Sequence, residues 1–232
     1  MLKTGKILCV FAALGVLTVA SETVGVEGRA RGSMLPAADA ADLSLLPEGS
    51  YAISIYDNLF RSISEAEGND WRLMSAIAYH ESRFTPTLCS PRGARGIMQL
   101  RPAVARQLGM NPDCIGDLRT NIWLANRYLK TLARMMGLPQ AIADDDRLRI
   151  LLAAYNGGVG HVLDARQLAR DRGENPDSWT IVKRYLRLKS AEPDYYEDEG
   201  VGSGQFTGYE QTNAYVVAVC KRYERYCARV AR

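Results

Sequence analysis

The sequence predicts a mainly α-helical fold made of a single domain, which spans residues 48–232. Between Leu118 and Met136, apolar residues recur at alternating steps of four and three, which is the period of an amphipathic helix. The segment from Leu148 to Tyr155 is apolar nearly all round, which indicates a helix buried at the centre of the domain. The alternation of apolar and polar residues that marks a half-buried strand is missing. These three observations favour helices packed on helices.

Length and composition agree with one globular domain. The chain has 232 residues, of which 47% are hydrophobic and 24% are charged, so collagen-like, coiled-coil and wholly disordered proteins are excluded. The formal net charge of +3 is too small to indicate a protein that binds nucleic acid. We therefore expect no nucleic acid among its partners.

The first 47 residues are predicted to be an export signal and a tether. Lys3 and Lys6 precede the uncharged apolar stretch Ile7–Ala20, which ends in small residues suited to cleavage after Ala20. This stretch is short for a transmembrane helix, although an uncleaved membrane anchor stays the alternative. Residues 21–47 are rich in Ala, Gly, Ser and Pro and show no sustained period, which predicts a flexible tether. We expect an exported protein, periplasmic or associated with the cell envelope, and membrane association stays open.

Start signals locate two of the helices that follow. Asn69 or Asp70 can cap the free backbone N–H groups of a helix that runs to about Phe84. Pro102 suits the first position of a short helix. The acidic, Gly-rich segment Glu192–Gly208 is predicted to be a long mobile loop. In chain order, the predicted helices are Tyr51–Glu67, 70–84, 102–109, Leu118–Met136, Leu148–Tyr155, Val159–Ala169, Trp179–Lys189 and Tyr209–Val230.

Four cysteines remain after removal of the predicted signal, and export to an oxidising compartment favours disulfides. Cys220 and Cys227 are separated by about 10 Å along one predicted helix, beyond the roughly 7 Å that a disulfide spans. We therefore predict a disulfide between Cys89 and Cys114, which flank a loop-rich region, with free or buried thiols as the alternative. Without a C-x-x-C motif, and with 2 histidines, the chain is expected to hold no metal.

Glu81 is the candidate catalytic residue. It shares one face of the second predicted helix with Met74 and Ile77, and this face should meet the core. Burial disfavours the charged form of a carboxylate, so the pKa should rise and the acid could donate a proton near neutral pH. The alternative is an ordinary Glu paired with a nearby arginine, and the position alone favours that alternative.

Two further motifs follow Glu81. Gly93 and Gly96 permit close backbone approach or unusual dihedral angles, and the amide of Gln99 suits an acetamido or hydroxyl group. A polar cluster around Asn156 ends the predicted buried helix. Taken one at a time, these features have plain structural explanations, namely a turn, core filling by Met98 and a helix C-cap.

Together and in this order, the three motifs resemble the catalytic domain of soluble lytic transglycosylases, which has a goose-lysozyme-like fold. The motifs are Glu81-Ser82-Arg83-Phe84, Gly93-Ala94-Arg95-Gly96-Ile97-Met98-Gln99-Leu100 and Ala154-Tyr155-Asn156-Gly157-Gly158. Two later segments, 161–166 and 175–179, are similar to family F of the membrane-bound lytic murein transglycosylases. Members of family F usually carry a further amino-terminal domain, for which the predicted tether is too short. We therefore expect a single lysozyme-like helical domain, the catalytic module only.

The resemblance implies cleavage of the β-1,4 bond between N-acetylmuramic acid and N-acetylglucosamine in peptidoglycan, leaving a 1,6-anhydromuramoyl end. Glu81 is then the single catalytic acid and base, and no cofactor is involved. The substrate-binding residues that the resemblance implies are Ser82, Met98, Gln99, Tyr155, Asn156 and Tyr215. Peptidoglycan strands are the expected partner of a monomer.

The resemblance also implies separate roles for these residues. Ser82 would orient the catalytic acid or the muramoyl group, and Met98 and Gln99 would line the sugar groove. Tyr155 and Asn156 would lie close to the acid and the substrate. Tyr215 would bring a hydroxyl group to the acid. The family usually has Glu four residues before this tyrosine, where the present chain has Gln211, next to Glu210.

Two other functions stay open. A muramidase-type or chitinase-type hydrolase on the same fold needs a second carboxylate to direct water, and Asp113, Asp117 and the acids around Asp194 are candidates. Asp70 begins the same helix as Glu81, about 16 Å away, which is too far for a nucleophile that should lie about 5 Å from the acid. The second alternative is a peptidoglycan-binding module without catalytic activity.

Overall fold

The structure is a computed structural model that describes residues 51–230. The predicted signal peptide 1–20 and tether 21–47 lie outside the described residues. Within residues 51–230 the fold is mainly α, as predicted, and contains isolated bridges but no strand. Its helices are α1 Asp57–Ala66, α2 Trp71–Ser82, α3 Pro102–Gln107, a 3-10 helix Pro112–Gly116, α4 Leu118–Met136, α5 Asp144–Gly157, α6 Val159–Asp171, α7 Trp179–Ala191, α8 Pro193–Tyr196 and α9 Tyr209–Val230.

The helix bounds follow local chemistry. Helices α4 and α9 have the bounds that the sequence predicts. Helix α1 begins six residues later than predicted, because the Asp57 carboxylate accepts the backbone N–H groups of Ala52, Ile53 and Ser54 and holds a turn there. Helix α5 begins four residues earlier than predicted. Three aspartates occupy its first turn, where negative charge favours the positive end of the helix dipole.

The core lies around α2, which packs against α1 on one side and against α9 on the other. Asp70 caps α2 by accepting the Arg72 backbone N–H at 2.8 Å, and Met74, Ile77 and Ala78 are fully buried. Helix α5 also packs against α9, and against α4, α6 and α7. Because α2 and α5 both contact α9, the ends of these three helices can bring distant residues to one site.

The segment Glu192–Gly208 differs from the predicted long mobile loop. It begins with helix α8, and the backbone N–H groups of Gly202 and Ser203 donate to the carboxylate of Asp164 at 3.1 and 3.0 Å. Near its end, Phe206 is 3% exposed and donates its backbone N–H to the Lys189 carbonyl. The prediction is wrong here because a buried aromatic ring and hydrogen bonds to α6 and α7 hold the segment.

The predicted disulfide between Cys89 and Cys114 is absent from the described residues, where all four cysteines are free thiols. Cys89 is exposed in the loop after α2, whereas Cys114 lies in the 3-10 helix and packs on the core. The two side chains thus have different surroundings, one solvent and the other apolar. Within residues 51–230, every helix falls short of the length or hydrophobicity that is needed to cross a lipid bilayer.

Candidate active site

Glu81 lies in the last turn of α2 and is half-buried. Its Oε1 atom accepts a hydrogen bond from the hydroxyl of Tyr215 at 2.7 Å, so its partner is a phenol and not an arginine. Burial raises the pKa of Glu81 to about 7, and the bond from Tyr215 partly opposes this rise. The predicted rise in pKa is therefore confirmed, and both the neutral and the charged form of the carboxyl group are present near neutral pH.

Tyr215 reaches Glu81 from α9, across 134 residues of sequence. Burial raises the pKa of Tyr215 well above its usual range, and the nearby Glu81 and Tyr155 add to this rise. The phenol therefore stays protonated and remains a donor. The His80 ring packs against the Tyr215 ring with centroids 6.4 Å apart, and His80 Nε2 accepts a bond from Arg222 at 3.2 Å.

Tyr155 brings a second phenol from the end of α5. Its hydroxyl donates to the backbone carbonyl of Met98 at 3.1 Å, and its ring lies 5.7 Å from that of Tyr128. Burial, followed by the charge of Glu81, raises the pKa of Tyr155 well above its usual range. An acid titrating near neutrality thus lies among hydroxyl groups that stay neutral, an arrangement suited to proton transfer.

The loop from Gly93 to Leu100 passes beside the end of α2. Arg95 and Leu100 exchange two backbone hydrogen bonds of 2.9 and 3.0 Å, which close the loop. Gly96 has a φ of +80°, and a Cβ atom at this position would lie 2.5 Å from the side-chain nitrogen of Asn121. Only glycine suits this position, because it accepts the dihedral angle and leaves room for the amide.

Asn121 on α4 is a supporting residue that the sequence analysis missed. It is fully buried, and its Oδ1 atom accepts the backbone N–H of Met98 at 2.8 Å. Its Nδ2 atom donates to the carbonyl groups of Arg95 and Ile115 at 3.0 and 2.8 Å. One side chain therefore satisfies three buried backbone groups. The signal for it in the sequence is weak, because a polar residue in an amphipathic helix is usually expected on the solvent face.

The structure gives Ser82 and Met98 supporting positions, since they are 4% and 0% exposed. Ser82 donates its hydroxyl to the Ile97 carbonyl at 2.7 Å and so joins the loop to α2. The Met98 side chain lies in the core, and its backbone groups bind Asn121 and Tyr155. Both side chains are therefore placed to support the loop, and their substrate-binding roles stay predictions.

Gln99 lies at the surface of the loop, half-buried and with a φ of +48°. Its Nε2 atom donates to the backbone carbonyls of Leu88 and Gly96, each at 2.9 Å. These two bonds hold the amide in one orientation and leave its carbonyl oxygen for a ligand. The predicted role of Gln99 in the sugar groove stays a prediction.

Asn156 lies at the end of α5, next to a polar cavity of about 190 Å³. Its Oδ1 atom accepts the Thr212 hydroxyl at 2.9 Å. Gly157 allows this close packing, since a Cβ atom there would lie 2.8 Å from the Phe206 ring. The cavity is lined by Arg92, Asn156, Gly157, His161, Phe206, Thr207, Gly208, Gln211 and Thr212. Gln211 therefore faces the cavity, whereas Glu210 is exposed outside it.

The carboxylates considered for a hydrolase lie elsewhere. Asp70 is held by Arg72 and by the Tyr223 hydroxyl at 2.7 Å, and Asp117 caps α4. Asp113 and Asp194 are exposed, in the 3-10 helix and in α8. No acidic side chain of residues 51–230 is among the groups that shift the pKa of Glu81. No group of three His, Cys, Asp or Glu side chains suited to a metal ion occurs in this part of the chain either.

Comparison with known proteins gives one family. The sequence profile of the family described as Transglycosylase SLT domain matches residues 58–178, a range that contains Glu81, the loop and Asn156. The chain is 40% identical over 177 residues to a membrane-bound lytic murein transglycosylase F of Yersinia enterocolitica, covering 74% of this chain and 35% of that one. It is 39% identical over 161 residues to the protein of the same name from Alcanivorax borkumensis, covering 68% and 33%.

The chain therefore spans about a third of the length of these curated relatives. Among solved structures, the 70 kDa soluble lytic transglycosylase of Escherichia coli aligns with 74% of this chain and 24% of its own. That alignment has a sequence identity of 23% and a TM-score of 0.49.

Proposed function

Since this chain belongs to the transglycosylase SLT domain family, we propose that it is a lytic transglycosylase of peptidoglycan. It cleaves the β-1,4 bond between N-acetylmuramic acid and N-acetylglucosamine without water and leaves a 1,6-anhydromuramoyl end. The observation that carries the proposal is the Glu81 carboxyl group, with a pKa of about 7 and no acidic side chain of residues 51–230 among the groups that shift this pKa. The named relatives are membrane-bound, which supports an exported protein acting at the cell envelope.

The first step is protonation of the leaving group. A carboxylic acid whose pKa is close to the working pH is present in both forms and can give and take a proton. In its neutral form, Glu81 donates its proton to the glycosidic oxygen, and the bond to the anomeric carbon breaks. The carboxylate that results accepts the hydrogen bond from Tyr215, which stabilises the new charge.

The second step uses a nucleophile that the substrate itself carries. Glycosidases with two carboxylates use the second one to attack the anomeric carbon or to direct water. Here, the N-acetyl group of the muramoyl residue supports the positive anomeric carbon. The Glu81 carboxylate removes the proton of the C6 hydroxyl of the same sugar, and that oxygen attacks the anomeric carbon. The attack gains from proximity, because both groups belong to one sugar ring.

Two measurements on purified peptidoglycan test this proposal. The wild-type chain should release products with anhydromuramoyl ends, each lighter by one water than a hydrolysed end, and mass spectrometry distinguishes the two. Replacement Glu81→Gln removes the proton donor and should lower the rate about 100-fold or more. Glu65→Gln, a change of an exposed glutamate on α1, should leave the rate unchanged.

Three results would each contradict part of the proposal. Hydrolysed ends from the wild-type chain would indicate a muramidase-type hydrolase instead. Binding to peptidoglycan without turnover would indicate a binding module. A wild-type rate in the Glu81→Gln protein would remove Glu81 from the mechanism.

A further inference from the structure

The polar cavity beside Asn156 has a composition that suits an anionic group of the substrate. We propose that it binds a carboxylate of the peptide stem carried by the muramoyl residue, with Arg92 as the cation that selects it. This inference rests on the proposed function, because it names a part of the same substrate. It concerns recognition and not the chemical step.

The cavity offers hydrogen-bond donors that have no partner within the described residues. Arg92 is exposed at its edge and forms no ion pair there. Asn156 uses its Oδ1 atom to accept from Thr212, which leaves its Nδ2 group for a ligand. Gln211 lies on the opposite helix, exposed and with its amide unbonded. A guanidinium and two amide groups form a set of donors that suits a carboxylate.

The charge of the cavity is positive and comes from one residue. None of its nine lining residues is Asp or Glu. Burial, followed by the charge of Lys189, lowers the pKa of His161 to about 4, so this histidine is neutral at pH 7. Its Nδ1 atom is buried without a partner in the described part of the chain. Arg92 therefore supplies the formal charge, which matches one carboxylate.

The cavity lies near the residues that surround Glu81, where the glycosidic bond would be cleaved. Asn156 directly follows Tyr155, whose phenol lies within the electrostatic reach of Glu81. On α9, Thr212 precedes Tyr215 by three residues, which is a rise of about 4.5 Å. The cavity thus adjoins Tyr155 on α5 and lies about one helical turn from Tyr215 on α9, the residue that binds Glu81. One substrate can therefore present a glycosidic bond to Glu81 and a side substituent to the cavity.

The wall of the cavity is held in place before any ligand arrives. The Phe206 ring packs on His161 with centroids 4.7 Å apart. The backbone ahead of Phe206 is bound to Asp164 through Gly202 and Ser203. A site whose walls are already ordered loses less entropy when it binds a ligand.

The test measures binding to three forms of one glycan. The full chain with Glu81→Gln binds without cleaving, and it is compared with the same chain carrying Arg92→Gln in addition. The probes are glycan strands with intact peptide stems, strands whose stem carboxylates are capped as amides, and strands stripped of peptide by an amidase, whose newly freed lactyl carboxylates are also capped as amides. Arg106→Gln, on the exposed surface of α3, is the matched control for loss of one positive charge.

We expect Arg92→Gln to raise the Kd for strands with intact stems about tenfold, which is within the range of a charge-assisted hydrogen bond. The Kd for the capped and stripped strands should not change, and Arg92→Lys should restore part of the loss. An equal loss on all three probes, or no loss on intact stems, would overturn the proposal. Because binding is measured without cleavage, hydrolysed products in the activity assay would refute the proposed reaction but leave this result interpretable.

Discussion

At the scale of single residues, the proposed chemistry depends on the protonation of Glu81. Burial raises its pKa to about 7, and the Tyr215 hydroxyl lowers it by binding the charged form. The neutral acid protonates the leaving oxygen, so the active form is lost as the pH rises through about 7. Tyr215 therefore influences both the rate and the pH at which the rate declines.

Replacement Tyr215→Phe should separate these two effects. Loss of the hydroxyl removes the bond that favours the carboxylate, so the pKa of Glu81 rises and the alkaline decline of kcat/KM moves to higher pH. The maximal rate should fall, because the carboxylate formed in the first step loses its donor. Profiles of kcat/KM against pH measure both effects.

Tyr223→Phe is the matched control for this prediction. It removes a phenol from the same helix, but that phenol binds Asp70 and not Glu81. Its pH profile should coincide with that of the wild-type chain. An unchanged alkaline decline in Tyr215→Phe would show that the hydroxyl has no effect on the acid.

At the scale of elements, the loop from Gly93 to Leu100 is held in place by side chains of two helices, α2 and α4. Asn121 of α4 binds the backbone of Arg95 and Met98, and Ser82 of α2 binds that of Ile97. The loop is thus attached to two helices through the buried side chains of Asn121 and Ser82. Gly96 permits the arrangement, since the Asn121 amide occupies the place of its missing Cβ atom.

Two glycines of this loop allow a matched comparison. Gly93 and Gly96 have φ values of +78° and +80°, and a Cβ atom at Gly93 would meet nothing within 4 Å. Gly93→Ala should therefore cost about 1 kcal/mol of unfolding free energy from backbone strain alone. Gly96→Ala adds displacement of Asn121 and loss of its hydrogen bonds, about 2–3 kcal/mol more. Urea denaturation measures both, and equal losses would contradict the role of Asn121.

At the scale of the whole molecule, one buried ion pair links three parts of the fold. Lys189 of α7 is fully buried and donates to Asp164 of α6. The same carboxylate accepts two backbone N–H groups of the segment that leads into α9. Since Phe206 of this segment forms the cavity wall, the ion pair connects the helical body to the proposed recognition site.

Removing one partner of this pair should have a larger effect than removing both. Asp164→Ala leaves a buried charge on Lys189 and should cost about 3–5 kcal/mol of unfolding free energy. Adding Lys189→Met should recover much of that loss, because no buried charge remains. Hydrogen exchange at Gly202 and Ser203 should still be faster than in the wild-type chain, since their acceptor is gone.

The ion pair of Arg149 with the exposed Asp145 is the control for the buried pair. Asp145 is 68% exposed in its side chain, so Asp145→Ala should cost less than about 1 kcal/mol. A similar cost for Asp164→Ala would contradict the importance of burial. If Asp164→Ala with Lys189→Met is no more stable than Asp164→Ala alone, the lost stability comes from the backbone hydrogen bonds to Asp164 and not from the unpaired charge.

The amino-acid sequence by itself determined the helical class, the bounds of α4 and α9, and the choice of Glu81 as the candidate acid. The helical class and the helix bounds depend on short-range periodicity, which a linear pattern contains, whereas the choice of Glu81 depended on three motifs taken together. The predicted rise in the pKa of Glu81 also followed from its place on the apolar face of α2, since local spacing determines which side chains share a face.

Only the tertiary structure decided which distant groups meet. The family resemblance implied that Tyr215 meets Glu81, but the bond itself joins residues 134 positions apart through the packing of α9 on α2. Asn121, which no motif indicated, reaches the loop from another helix. The burial of Met98, the ordered segment before α9 and the free Cys89 thiol also depend on the packing of whole helices. Packing depends on the relative placement of several elements, and the spacing of residues within one element does not specify that placement.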